Sequence, residues 1–123
     1  MDFSWHKLWG GTITDIGFAI THDQDNNIYI AGDTNLYDHG FIEYGIILIK
    51  CNNSGFQEWN VTYNEGFARD IVLDSSKNIY IVGYKSSQSG TVLLLIKYDN
   101  YGNLIWNKTF KISTLNRGEG IGI

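Results

Sequence analysis

The few reactive or ligating side chains in this sequence are spaced in ways that mostly argue against chemistry. Asp23-Gln24-Asp25-Asn26-Asn27 sets acids at alternating positions, as a calcium-binding loop does at its start. Such a loop needs Gly at its sixth position and a bidentate Glu at its twelfth. Ile28 holds the sixth, no Glu holds the twelfth, and Ser76 stands in the position matching Asp25 when the stretch recurs. Turn chemistry therefore explains the stretch, and no metal is expected. His6, His22 and His39 have no helical or hairpin spacing that would gather them as ligands or as a base set. They read as surface or strand-edge histidines. Cys51 is the single cysteine, so no intrachain disulfide is possible and the redox compartment stays open. With no Cys-His motif beside it, Cys51 reads as a packed thiol. Gly10-Gly11 and Gly118-Glu119-Gly120 lack the Lys-Ser/Thr of a phosphate loop and read as turns. Asn52-Asn53-Ser54, Asn60-Val61-Thr62 and Asn107-Lys108-Thr109 are glycosylation triplets, meaningful only in a secreted chain. No catalytic set and no cofactor is expected.

Binding is a different matter. The stretch 33–43 contains Tyr37, Asp38, His39 and Phe41. Exposed aromatics mixed with polar groups suit contacts with protein or glycan. The competing reading is that Tyr37 or Phe41 covers a sheet edge.

What must position these residues is a repeat. Asn27-Ile28-Tyr29-Ile30-Ala31-Gly32 returns 51 positions later as Asn78-Ile79-Tyr80-Ile81-Val82-Gly83. Each copy follows an apolar run ending in Asp, at Asp23 and Asp74. Each precedes a loop and a β-rich run, Gly45-Ile46-Ile47-Leu48-Ile49-Lys50 or Val92-Leu93-Leu94-Leu95-Ile96-Lys97. A polar turn carrying Gly55 or Gly102 follows, then a strand opened by Trp59 or Trp106. The offset falls to 47 at Lys50/Lys97 and Trp59/Trp106, because the intervening loop is longer in the first copy.

A strand-rich period near 50 residues indicates a propeller or a similar array of four-stranded blades. The expected strands are 16–22, 27–32, 44–50 and 56–63, then 68–73, 78–83, 92–98 and 103–110, from the propeller axis outward. The Asp- and Asn-rich stretches 23–27 and 74–78 suit tight hairpin reversals. Gly55 and Gly102 are expected to take positive φ. The continuous apolar runs suit strands covered on both faces.

The pattern resembles the SBBP-type β-propeller repeats. The second copy carries it along its length, through Asp74, Asn78, Tyr80, Gly83, Leu95-Ile96-Lys97-Tyr98-Asp99, Gly102 and Trp106. The first departs at Cys51-Asn52, where that family has Tyr-Asp, and at Asn26, where it usually has Gly. The resemblance implies a propeller blade fold and brings no catalytic motif with it.

The ends of the chain fall inside the repeat. Trp5-His6-Lys7-Leu8-Trp9 matches the fourth strand of a blade, and Gly120-Ile121-Gly122-Ile123 matches the first strand of another. The expectation is two complete blades, about 16–63 and 68–110, with strands 5–9 and 118–123 belonging to incomplete ones. Two blades cannot close a ring of roughly 4–8. The expectation is therefore a segment of a longer propeller, or copies that assemble as a homo-oligomer or by strand swap.

A net charge of −4 and the lack of a basic cluster argue against nucleic acid. No apolar run is long enough to span a membrane as a helix. Residues 1–5 lack the features of a signal peptide, which leaves the location open. The leading reading is an all-β, non-enzymatic interaction or scaffold module that binds protein or glycan through its loop face. The loops of that face are 10–15, 33–43, 64–67, 84–91 and 111–118. The runner-up is part of a propeller enzyme: a hydrolase, lyase or quinone-dependent dehydrogenase. Arg69 and Asp70 face no repeated equivalent in Phe18 and Ala19, so no repeated catalytic set supports it. A third reading is a purely structural repeat.

Overall fold

The computed structural model describes residues 15–38, 41–88 and 90–111. Eight strands run through them: β1 Asp15–His22, β2 Ile28–Asp38, β3 Phe41–Cys51, β4 Gln57–Tyr63, β5 Phe67–Leu73, β6 Ile79–Ser87, β7 Gly90–Tyr98 and β8 Leu104–Lys111. They form two four-stranded sheets, β1-β2-β3-β4 and β5-β6-β7-β8, each an antiparallel meander. The described residues are all-β. The expected strands at 5–9 and 118–123 lie outside them.

The repeat reaches below the level of the strand. Register slips between Gly17 and Ala19 in the first sheet and between Ala68 and Asp70 in the second. It slips again at Lys50/Cys51 and at Lys97/Tyr98. Bulges bend a strand and raise its twist, so bulges at matched places give two sheets of the same shape. The recurring Gly has a steric cause. A Cβ at Gly32 would collide with the Ile16 carbonyl oxygen, and one at Gly83 with that of Phe67. Gly55 and Gly102 take φ of 87° and 86°, as the turn pattern requires.

The sheets pack face to face around one core. Tyr29, Ala31, Ile46 and Leu48 of the first sheet meet Ile71, Ile79, Ile81, Leu94, Ile96 and Tyr98 of the second. Alternation along a strand explains the choice: Ile79, Ile81, Leu94 and Ile96 point one way, and Tyr80, Val82, Leu93 and Leu95 the other. Ile47, Ile49 and Cys51 form a smaller cluster on the far side of the first sheet.

One expectation needs revision. Stretches 33–43 and 84–91 read as loops, but most of their residues extend the hairpins. β2 and β3 stay paired out to Asp38 opposite Phe41, and β6 and β7 out to Ser87 opposite Gly90. The polar residues Asp33, Thr34 and Asn35 look like turn formers. Their partners Ile46, Gly45 and Tyr44 continue the ladder, and pairing overrides local preference.

Candidate functional site

At one end of the molecule the A–B turns, which join the first two strands of each blade, are tied by the same clasp. Asp23 Oδ1 accepts from the backbone N–H of Asp25 at 2.9 Å and of Asn27 at 3.0 Å. Its Oδ2 accepts from Asn27 Nδ2 at 3.1 Å and from the Tyr29 hydroxyl at 2.9 Å. Asp74, Ser76, Asn78 and Tyr80 repeat all four bonds within 0.1 Å. Burial works against the Asp23 charge, but the bonds from Asn27, Tyr29 and Asp25 outweigh it and bring the carboxyl down to about 2. The backbone N–H of Asn78, then its side chain and Tyr80, bring Asp74 down to about 2 as well. The turn reading of Asp23 and Asn27 is what the structure shows. The hydroxyl of the Tyr two residues after each Asn was missed, although the spacing Asp, Asn and Tyr at i, i+4 and i+6 is the same in both copies.

Next to the clasp, the turn between β7 and β8 plugs into the first sheet. Asn100 Nδ2 donates to the Tyr29 hydroxyl and to the Lys77 carbonyl, both at 2.9 Å. Asn100 Oδ1 accepts from Lys50 Nζ at 2.7 Å. Lys50 Nζ also lies 5.6 Å from the Tyr29 ring centroid and 3.2 Å from Glu58 Oε1. Gly102 sits on the Trp59 ring, where an added Cβ would come within 3.1 Å of the indole. Tyr29, Lys50 and Trp59 thus form a socket, and Asn100 with Gly102 is the plug. Lys77 Nζ, 2.9 Å from Asp25 Oδ2 and 3.8 Å from Asp23 Oδ2, fastens the same edge.

The outer face of the second sheet carries the socket again. Tyr80, Lys97 and Trp106 occupy the matching positions, with Lys97 Nζ 5.4 Å from the Tyr80 centroid and Trp106 edge-on to Tyr80 at 6.3 Å. Among the described residues no side-chain amide reaches this pair. The apolar floor is open too: Leu48 is 1% exposed under the second sheet, whereas its counterpart Leu95 is only half-buried. Val72 and Phe110 on that face are about half exposed.

The opposite end of the molecule is built differently. Asp33 Oδ1 accepts from the Ala68 N–H at 2.7 Å, joining the sheets; burial pushes its carboxyl up against that bond and Arg69. Tyr44, Phe67 and Tyr84 form an aromatic row, with centroids 5.2 and 5.1 Å apart, and Arg69 lies 5.9 Å from the Tyr84 centroid. Glu65 Oε2 pairs with Lys85 Nζ at 2.9 Å.

Of the expected binding residues, Tyr37 and Asp38 close β2 and Phe41 opens β3, at the far end of one hairpin. His39 lies outside the described residues, as does His6. His22 Nδ1 donates to the Asp23 carbonyl, at 3.1 Å. Cys51 is buried.

Two comparisons bear on this geometry. No curated protein matches the chain. The family model described as a beta-propeller repeat, SBBP, matches residues 5–38. That span covers the first A–B clasp with its Asp23, Asn27 and Tyr29, and over it the chain is similar to a β-propeller repeat.

Proposed function

We propose that this propeller-type module is a non-enzymatic interaction and scaffold unit, which takes a further blade of its own kind on the outer face of the second sheet. One observation carries the reading: Tyr80, Lys97 and Trp106 reproduce the socket that Tyr29, Lys50 and Trp59 offer to Asn100 and Gly102. A face with half-exposed Val72 and Phe110 beside a partly buried Leu95 is an association surface by its apolar content. The further blade comes from a second copy or from a larger assembly. The loop-face end, with Tyr37, Asp38, His39 and Phe41, is then presented on a rigid frame for contact with protein or glycan.

Sedimentation velocity over a range of concentrations tests the first part. The chain should associate, and Leu95→Glu should shift it to monomer while its far-UV spectrum is kept. A folded wild-type monomer at high concentration would remove a second copy as the source of the further blade. For the second part, Tyr37→Ala and Phe41→Ala should weaken any hit in pull-down and glycan-array screens.

A further inference from the structure

We propose that a second groove on the loop-face end, distinct from the Tyr37–Phe41 hairpin tip, binds a neutral saccharide. The groove is about 530 Å3 and lies at the seam of the two sheets, with Tyr44, Asn64, Glu65, Phe67, Lys85 and Ser86 in its walls. That volume is within the ~300–1,000 Å3 of small-molecule sites. The inference rests on the reading of this end as the binding face.

Three observations support it. The first is asymmetry. Residues that hold the fold recur: Asp23 with Asp74, Tyr29 with Tyr80, Trp59 with Trp106. The aromatic row does not. Tyr44, Phe67 and Tyr84 stand where the other copy has Thr91, Ile16 and Asp33. A blade of this pattern can therefore be built without the row. The second is the surface it offers. Tyr44 is 50% exposed, and its ring is held by Phe67, itself stacked on Tyr84. A fixed, half-open aromatic face suits the C–H face of a sugar ring, and its rigidity keeps the ordering cost low.

The third is charge. The Glu65 carboxylate and Lys85 ammonium pair with each other at 2.9 Å, so they add no net charge to the groove. Arg69 turns its guanidinium over Tyr84. A phosphate or an acidic peptide would have to break the Glu65–Lys85 pair. Sugar hydroxyls both donate and accept, so they can use the remaining Glu65 lone pairs and Lys85 N–H groups without parting them. Exposed Asn64 and Ser86 add an amide and a hydroxyl at the rim. The Glu65 N–H to Tyr63 carbonyl bond, 2.9 Å, fixes the turn that delivers the carboxylate.

The test is a titration of the isotope-labelled full chain with maltohexaose, cellohexaose, chitohexaose and mannohexaose at millimolar concentration, followed by amide NMR. At least one should give saturable shifts at Glu65, Gly66, Phe67 and Lys85. Tyr44→Leu keeps an apolar cover but loses the ring face, and should bind about tenfold more weakly with an unchanged melting temperature. Glu65→Gln should also weaken binding, and a sulfated hexasaccharide should not compete. The proposal is overturned if none of the four sugars gives saturable shifts, or if Tyr44→Leu binds as wild type does. Shifts confined to residues 36–42 would likewise reject the groove while upholding the wider binding face. A panel with no sugar hit but a protein hit lost in Tyr37→Ala would do the same.

Discussion

Asp23 and Asp74 set the acid limit of this molecule. Each is lowered from an ordinary carboxylate value near 3.8 to about 2 in the folded chain. A depressed folded value means that the stabilisation is present above the unfolded value and is lost as pH falls toward the folded one. Stability should therefore decline between about pH 4 and pH 2. Urea midpoints measured at steps of pH would show it, and Asp23→Asn should flatten part of the slope. At neutral pH, Asp23→Ala strands the N–H groups of Asp25 and Asn27 and the Tyr29 hydroxyl, and should cost about 2–3 kcal/mol. The alkaline limb has the opposite sign. Burial raises Tyr29 and Tyr98 from 10.0 to about 12, helped at Tyr29 by the Asp23 and Glu58 carboxylates. Both stay neutral in the fold after the unfolded chain would ionise, so stability should fall between about pH 10 and pH 12. Tyr29→Phe keeps the ring and loses the hydroxyl, so it should shrink that limb and cost about 1 kcal/mol at neutral pH.

The strands and turns were largely legible, because blade strands alternate cleanly and blade turns need particular residues. β4, β5 and β8 fall within a residue of the expected spans. The hairpin ends were not legible: Asp33-Thr34-Asn35 carries the composition of a turn, and only the partner strand shows that it is paired. The socket was not legible either. Lys50 and Tyr29 are far in sequence from Asn100, and a repeat read copy by copy hides contacts made between copies. Asn100 and Asn53 occupy matched turn positions, yet only Asn100 has a socket to fill among the described residues. Asn100→Ala should therefore destabilise the chain by about 2 kcal/mol, by losing bonds that include one to a charged group. Asn53→Ala, whose amide makes only two exposed 3.4 Å bonds, to the Asp25 carbonyl and from the Ser54 hydroxyl, should cost little. Chemical denaturation of the two variants side by side decides this, and equal losses would mean that the seam is not held by the plug.

At the scale of the whole molecule, what recurs and what does not divide the surface by role. The core shared by Tyr29, Leu48, Ile81 and Leu94 is continuous across both sheets, so the two should unfold as one cooperative unit. Leu94→Ala, at 0% exposure, should cost about 2–5 kcal/mol and lower the protection of amides in both sheets together. Hydrogen exchange would check it. Independent loss in the second sheet alone would count against a shared core. The aromatic row was the least legible feature. The sequence drew attention to Tyr37 and Phe41 because they cluster in one stretch, whereas Tyr44, Phe67 and Tyr84 meet only after folding.

The burial of Asp33 has a consequence for how the protein comes apart. Burial raises Asp33, so acid favours its folded form at the aromatic end, while the same acid strips charge from Asp23 and Asp74 at the clasp end. A single change of pH therefore pulls the two rims in opposite directions. Between about pH 4 and pH 2 the protein should fray from its clasped rim inward, with the aromatic rim the last to let go.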